Sequence, residues 1–154
     1  MNALTMLEDD HVKVKRLLAK LESTTARGVK TRSELFATLK GELTIHEIIE
    51  EEIFYPALKA HPKAKDIVLE GYQEHHVVDL LMGELERLDV ADETWGPKAI
   101  VMKENIEHHI GEEEGEMWTA ARKAFDRSEL EELGERMMAR RRSAAEELGI
   151  PVAN

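Results

Sequence analysis

The sequence predicts an all-α fold: an antiparallel, up-down four-helix bundle with an additional C-terminal helix. Three observations lead there. Apolar residues recur at three- and four-residue spacing along most of the chain, and no β-type alternation persists. Helix-start signals precede the periodic segments: Thr5 with Glu8, Thr31 with Glu34 and Ser128 with Glu131 each read S/T-x-x-E, and Thr94 followed by Pro97 marks a further start. Breaks fall at Gly28, at His61-Pro62 and from Asp92 to Gly96, and connections this short favour antiparallel neighbours. A chain of 154 residues is most economically one domain spanning 1–154, with the bundle at about 5–125.

The first helix is expected at about 5–25, with Leu7, His11, Val14, Leu18 and Leu21 on one face. The second, about 31–60, carries Leu35, Leu39, Leu43, His46, Glu50, Ile53 and Ala57. The third, about 63–89, carries Val68, Tyr72, His75, Val78, Met82 and Leu85. The fourth, about 95–124, carries Met102, Ile106, His109, Glu113, Met117, Ala120 and Ala124. The C-terminal helix, about 128–148, sets Leu130, Leu133, Met137 and Met138 among charged residues that include Arg140, Arg141 and Arg142. It covers an end or side of the bundle, or forms the contact of a homodimer. Gly149 and Pro151 stop it.

Composition excludes several function classes. A formal net charge of -11 argues against binding nucleic acid or an anionic membrane surface. The absence of cysteine removes disulfides, thiolate metal sites and cysteine nucleophiles. No apolar run approaches the roughly 20 residues of a membrane span, and the N-terminus lacks a signal-peptide layout, so a cytoplasmic protein is the default reading.

Each of the four main helices has one histidine in its apolar stripe, and the second and fourth add a glutamate four residues later. Residues four apart share a helix face, so His11, His46, Glu50, His75, His109 and Glu113 interrupt the stripes that should be buried. A bare buried carboxylate costs several kcal/mol even after relaxation, so something positive should meet it. In an up-down bundle at about 1.5 Å rise per residue, the four histidines fall within about a turn of one level. HEIIEEEIFYPALKA from His46 also aligns without gaps on HIGEEEGEMWTAARK from His109, matching Glu50 to Glu113, Glu51 to Glu114 and Tyr55 to Trp118. The conjunction describes a metal site. His76 and His108 lie about 100° round their helices from the stripe, and His61 sits in a turn. Glu51, Glu52, Glu112, Glu114 and Glu116 read as a solvated acidic face. Glu47 would reach a metal only if its helix rotated. Tyr55 and Trp118 shield the cluster or simply pack, and Tyr72, one turn before His75, packs or donates a hydrogen bond to bound oxygen species.

Imidazole and carboxylate donors without sulfur suit iron, manganese or zinc. Four imidazoles and two carboxylates are too many for one ion with an open position. They suit two ions bridged by Glu50 and Glu113, with the histidines as terminal ligands whose pairing stays open. Two divalent ions and two carboxylates leave a charge of about +2, which attracts small anions.

His11, then H46-x3-E50 with the following EE-x-FYPAL, then E74-H75, then H108-H109-x3-E113-E114, resemble the hemerythrin-like HHE cation-binding family over about residues 5–125. The resemblance implies a four-helix bundle holding two non-haem iron ions with an oxo or hydroxo bridge, ligated by His11, His46, Glu50, His75, His109 and Glu113. Oxygen-carrier hemerythrins have a further histidine where this chain has Asp79, and His-x4-Asp where it has His109-x3-Glu113. Asp79 is then an oxygen ligand, or it leaves a position open. The function implied is binding or sensing of O2, NO or iron. The alternative is an enzyme that decomposes hydrogen peroxide or reduces NO. A redox partner would be a separate chain.

Overall fold

The computed structural model describes residues 1–151, which are helical with no strand among them. The elements are α1 (Ala3–Glu22), α2 (Val29–Ile49), α3 (Tyr55–Lys59), α4 (Lys65–Arg87), α5 (Trp95–Glu112), α6 (Trp118–Ala124) and α7 (Arg127–Leu148). A π-helical turn at Glu50–Phe54 joins α2 to α3, and a second at Glu113–Met117 joins α5 to α6. The result is a four-rod bundle with a fifth helix at the C-terminus. α1 packs on α2, α4 on α5 and α1 on α5, while α7 lies across α1, α2 and the first π turn.

The caps differ from the expected ones. Asn2, not Thr5, caps α1: its side chain accepts the Thr5 backbone N–H at 2.9 Å. α2 begins after Gly28 with no side-chain cap, two residues ahead of Thr31. The capping box of α7 is Asp126 with Glu129 rather than Ser128 with Glu131. The displacements at α1 and α7 share a cause: Asx and Ser/Thr caps compete for nearby backbone N–H groups, and the earlier acceptor, Asn2 or Asp126, captures the helix start. Thr94 does precede α5. Gly149 closes α7 with φ 65°, the left-handed C-cap that glycine supplies without strain.

The π turns shift the apolar stripes. Ala57 and Ala120 were expected to face the core, but each is only partly buried, while Leu58 and Ala121 are fully buried. A π turn inserts one residue into the helix, so every side chain beyond it is re-aimed by about one position. Tyr55 and Trp118, at 0% and 3% exposure, thereby turn inward.

Two apolar clusters fill the bundle. One holds Val14, Leu18, Leu39, Val78, Met102 and Ile106 with their neighbours, towards the end closed by Trp95. There the buried Arg32 ties two loops by donating to the Thr24 and Val90 carbonyls, with Trp95 under its guanidinium. The other cluster gathers Leu4, Leu7, Ile53, Phe54, Leu58 and Trp118 at the π-turn end, and α7 covers it with Leu130, Leu133 and Met137. α7 therefore supplies core, and it approaches α1 closely. A Cβ on Gly134 would collide with the Met1 carbonyl and the backbone of Asn2 and Ala3. Gly134→Ala should thus lower stability by about 1–3 kcal/mol, the usual cost of overpacking, as a thermal melt or urea titration would show.

Candidate metal centre

Between the two apolar clusters lies one polar layer. His11, His46, Glu50, His75, His109 and Glu113 are all buried, with both glutamates at 0% exposure. α1, α2, α4 and α5 each contribute one histidine, and the two glutamates stand at the starts of the two π turns. The donor atoms converge. Glu50 Oε1 lies 3.0 Å from His46 Nε2 and 3.1 Å from His75 Nε2. Glu113 Oε1 lies 3.0 Å from His11 Nε2, and its Oε2 lies 3.1 Å from His109 Nε2. Two groups result: His11 and His46 with Glu113, and His75 and His109 with Glu50 and Glu113. The pairing left open by the sequence is therefore α1 with α2 and α4 with α5, Glu113 belonging to both groups.

The donor set fits a cation. Glu50 Oε2, Glu113 Oε1 and His11 Nε2 are buried and lack any aligned hydrogen bond. Such orphaned atoms are costly unless something else satisfies them. The other ring nitrogens are all engaged: His11 Nδ1 by Glu114 at 2.8 Å, His46 Nδ1 by Asp10 at 2.9 Å, His75 Nδ1 by Glu51 at 2.8 Å and His109 Nδ1 by Glu74 at 2.8 Å. A carboxylate accepting from Nδ1–H fixes the tautomer with the Nε2 lone pair turned to the centre, the usual support of a metal-bound imidazole.

These four carboxylates were not legible as a set. Asp10 and Glu74 immediately precede His11 and His75, and Glu51 and Glu114 immediately follow Glu50 and Glu113. Each holds the imidazole of a neighbouring rod rather than its own. Glu51 and Glu114 thus leave the solvated acidic face expected for them. The available signal was an acidic residue directly beside His11, Glu50, His75 and Glu113. The arrangement repeats: Asp10, His11, His46 and Glu50 on one half answer Glu74, His75, His109 and Glu113 on the other.

Tyr55 departs from that symmetry. Its hydroxyl donates to Glu113 Oε2 at 2.7 Å and lies 3.4 Å from His75 Nε2 and 3.3 Å from His109 Nε2. Its ring stacks on His75. The matching Trp118 stacks on His11 with planes 6° apart but offers no oxygen. Gly71 makes room for the phenol, since a Cβ there would stand 3.0 Å from Tyr55 Oη. Tyr72, the other tyrosine considered, reaches only the Glu51 backbone carbonyl at 3.4 Å. His76 and His108 are exposed, while His61 packs edge-on against Phe125. Neither Glu47 nor Asp79 belongs to either donor group. The two face each other, and burial together with the Asp79 contact raises the Glu47 carboxyl to about 9, against the pull of His75.

A cavity of about 20 Å³ opens beside the donors, lined by His11, His46, Glu47, His75, Val78 and Ile106 among others. That is room for about one water-sized molecule.

As protein groups alone, the centre balances its charge with protons. Burial depresses His75 and His109, but Glu50 and Glu51 lift the former to about 9, and Glu113 and Glu74 lift the latter to about 10. Burial acts to raise Glu113, yet its histidine partners hold it well below the usual carboxylate range. Cation and proton therefore compete for the same nitrogens. Metal uptake at pH 7.5 should release protons, measurable in weakly buffered solution with an indicator dye. In chelator-treated protein the raised histidines stabilise the fold fully below pH ~6.5. That contribution is lost as pH rises through about 9 and about 10, so its melting temperature should fall there, and metal-loaded protein should not follow. Glu51→Gln should weaken metal binding roughly 10–100-fold in a chelator competition.

The hemerythrin HHE cation binding domain, as a sequence family, matches residues 2–121. The chain is 33% identical over 144 residues to an uncharacterized protein of Mycobacterium tuberculosis and to its Mycobacterium bovis counterpart, covering 91% of this chain and 85% of each relative. It also resembles the crystal structure of a hemerythrin HHE cation binding domain-containing protein of Mycobacterium kansasii, with TM-score 0.81 and 33% identity over 93% of this chain and 86% of that one.

Proposed function

The chain belongs to the hemerythrin HHE cation-binding family, and from that premise we propose that it holds two non-haem iron ions and uses them to bind or sense a small ligand such as O2, NO or peroxide. The observation that carries this reading is the convergence of four Nε2 atoms and two buried carboxylates into two donor groups that share Glu113. His11 and His46 would hold one ion, His75 and His109 the other, with Glu50 and Glu113 between them. An oxo or hydroxo bridge would complete the pair. The ions would supply redox chemistry and open coordination positions. The protein's own part is to orient the imidazoles through four carboxylates, to exclude water with two apolar clusters, and to admit a molecule of diatomic size to the cavity beside Val78 and Ile106.

Tyr55 favours a second reading, catalytic peroxide decomposition, in which two hydrogen peroxide molecules give dioxygen and two waters. Its hydroxyl is an O–H donor already placed among the donor atoms of the His75–His109 group, where it can orient a bound peroxide or supply a proton to it. Reduction of NO needs electrons from a redox partner, a separate chain.

Metal analysis of aerobically purified protein, with an optical spectrum, tests the first reading. Roughly two irons per chain with near-ultraviolet charge-transfer bands is the expected result. Absence of iron, with no uptake of ferrous ion under anaerobic conditions, would sink it. Steady oxygen release from peroxide, lowered at least tenfold in Tyr55→Phe at unchanged iron content, would establish the catalytic reading. A reversible spectral change without turnover would establish the binding one.

A further inference from the structure

We propose that Arg141, on the C-terminal helix, is a positioning residue of the metal centre: through Asp10 it fixes the His46 imidazole and sets the His11–His46 ion apart from its neighbour. The inference rests on the two-ion reading above. Arg141 Nη2 donates to Asp10 Oδ2 at 2.6 Å, and the same oxygen accepts from His46 Nδ1 at 2.9 Å. The relay is sealed from solvent, with side-chain exposures of 13% for Arg141, 4% for Asp10 and 6% for His46.

Two comparisons within the molecule give this contact its meaning. The first is with Arg140, the adjacent residue. It reaches Glu52 and Glu147, both at least half exposed, by contacts of 3.0–3.1 Å. Pairs of that kind add little. Arg141 instead turns under the helix, and its Nε is buried with no partner. An arginine that gives up hydration in this way is held by a short, charge-assisted bond in a poorly screened setting.

The second comparison is between the halves of the centre. Asp10 corresponds to Glu74, which holds His109 in the same manner but meets no guanidinium. Its second oxygen lies 3.8 Å from the exposed His108. Among the described residues, Glu51 and Glu114 likewise meet no arginine. Of the four carboxylates that orient the imidazoles, Asp10 alone is clamped. α7 packs chiefly on α1, α2 and the first π turn, so the added helix lies mainly against one half. An imidazole whose acceptor cannot swing keeps its Nε2 aimed, and the ion on that side depends on α7.

The test is an anaerobic titration with cobalt(II), then ferrous ion, against a chromophoric chelator. It compares the unaltered protein with Arg141→Met, Arg141→Lys and Arg140→Met. Arg141→Met should bind one of its two ions at least about tenfold more weakly, with the other ion unchanged and the cobalt d–d bands of one site altered. Arg141→Lys should recover part of the loss, and Arg140→Met should show none. Two ions bound by folded Arg141→Met with unaltered affinities would overturn the proposal. So would an equal loss in Arg140→Met, which would trace the effect to helix docking. Should Arg141→Met fail to fold, Asp10→Asn must show the same one-ion loss, and unchanged affinities there overturn the proposal as well. An unaltered protein that takes up no cobalt or iron would instead overturn the two-ion reading itself.

Discussion

Two carboxylates, Glu50 and Glu113, stand with no exposure at the middle of a helical bundle. An ionised carboxylate in that position is tolerated only when paired and hydrogen-bonded. Much of the local architecture follows from that constraint. Four imidazoles surround the pair, four further carboxylates hold the imidazoles, and two apolar clusters close the layer from either end. The helix that carries each glutamate departs from α geometry at that residue. A π turn loosens the local hydrogen-bond ladder and brings an extra residue onto the inner face.

The two halves of the layer repeat one plan and then diverge. Tyr55 and Trp118 occupy matching places and stack on matching histidines, but only Tyr55 brings an oxygen to the donors. Gly71 on α4 gives that ring space, whereas the matching position on α1 is the buried Leu7. Asp10 is clamped from α7, while Glu74 faces exposed side chains. A symmetric site would give both donor groups the same surroundings, and this one gives them different ones. Each difference comes from a single side chain outside the donor set, which is how outer groups tune a metal without changing its ligands.

Function follows from what the layer admits as much as from what it binds. The space beside the donors is about 20 Å³, room for about one water-sized molecule. Val14, Leu43, Val78, Ile106 and Ile110 line it on the apolar side, and the four histidines and Glu47 line it on the other. Binding, sensing and peroxide decomposition all use such a space. They differ in whether the surrounding groups also move protons, and that is the chemistry Tyr55 is placed to influence.

The sequence by itself determined the helical bundle, because three- and four-residue periodicity is a local property that needs no partner to be read. It also singled out the six inward donors, since a histidine or glutamate in an apolar stripe is conspicuous wherever the stripe points. His75 and His109 lie in the stripes where His76 and His108 do not, and they are the buried member of each pair. What only the tertiary structure decided lies between helices. The pairing of the histidines, the crossed carboxylates Asp10, Glu51, Glu74 and Glu114, and the Arg141 clamp join residues from different rods, and helical phase within one rod carries no record of them. The sequence left Tyr55 as a shield of the cluster or a packing residue. What it did not carry is the hydroxyl on Glu113: a straight helix from His46 points Tyr55 away from the donors, and the π turn at Glu50–Phe54 re-aims it.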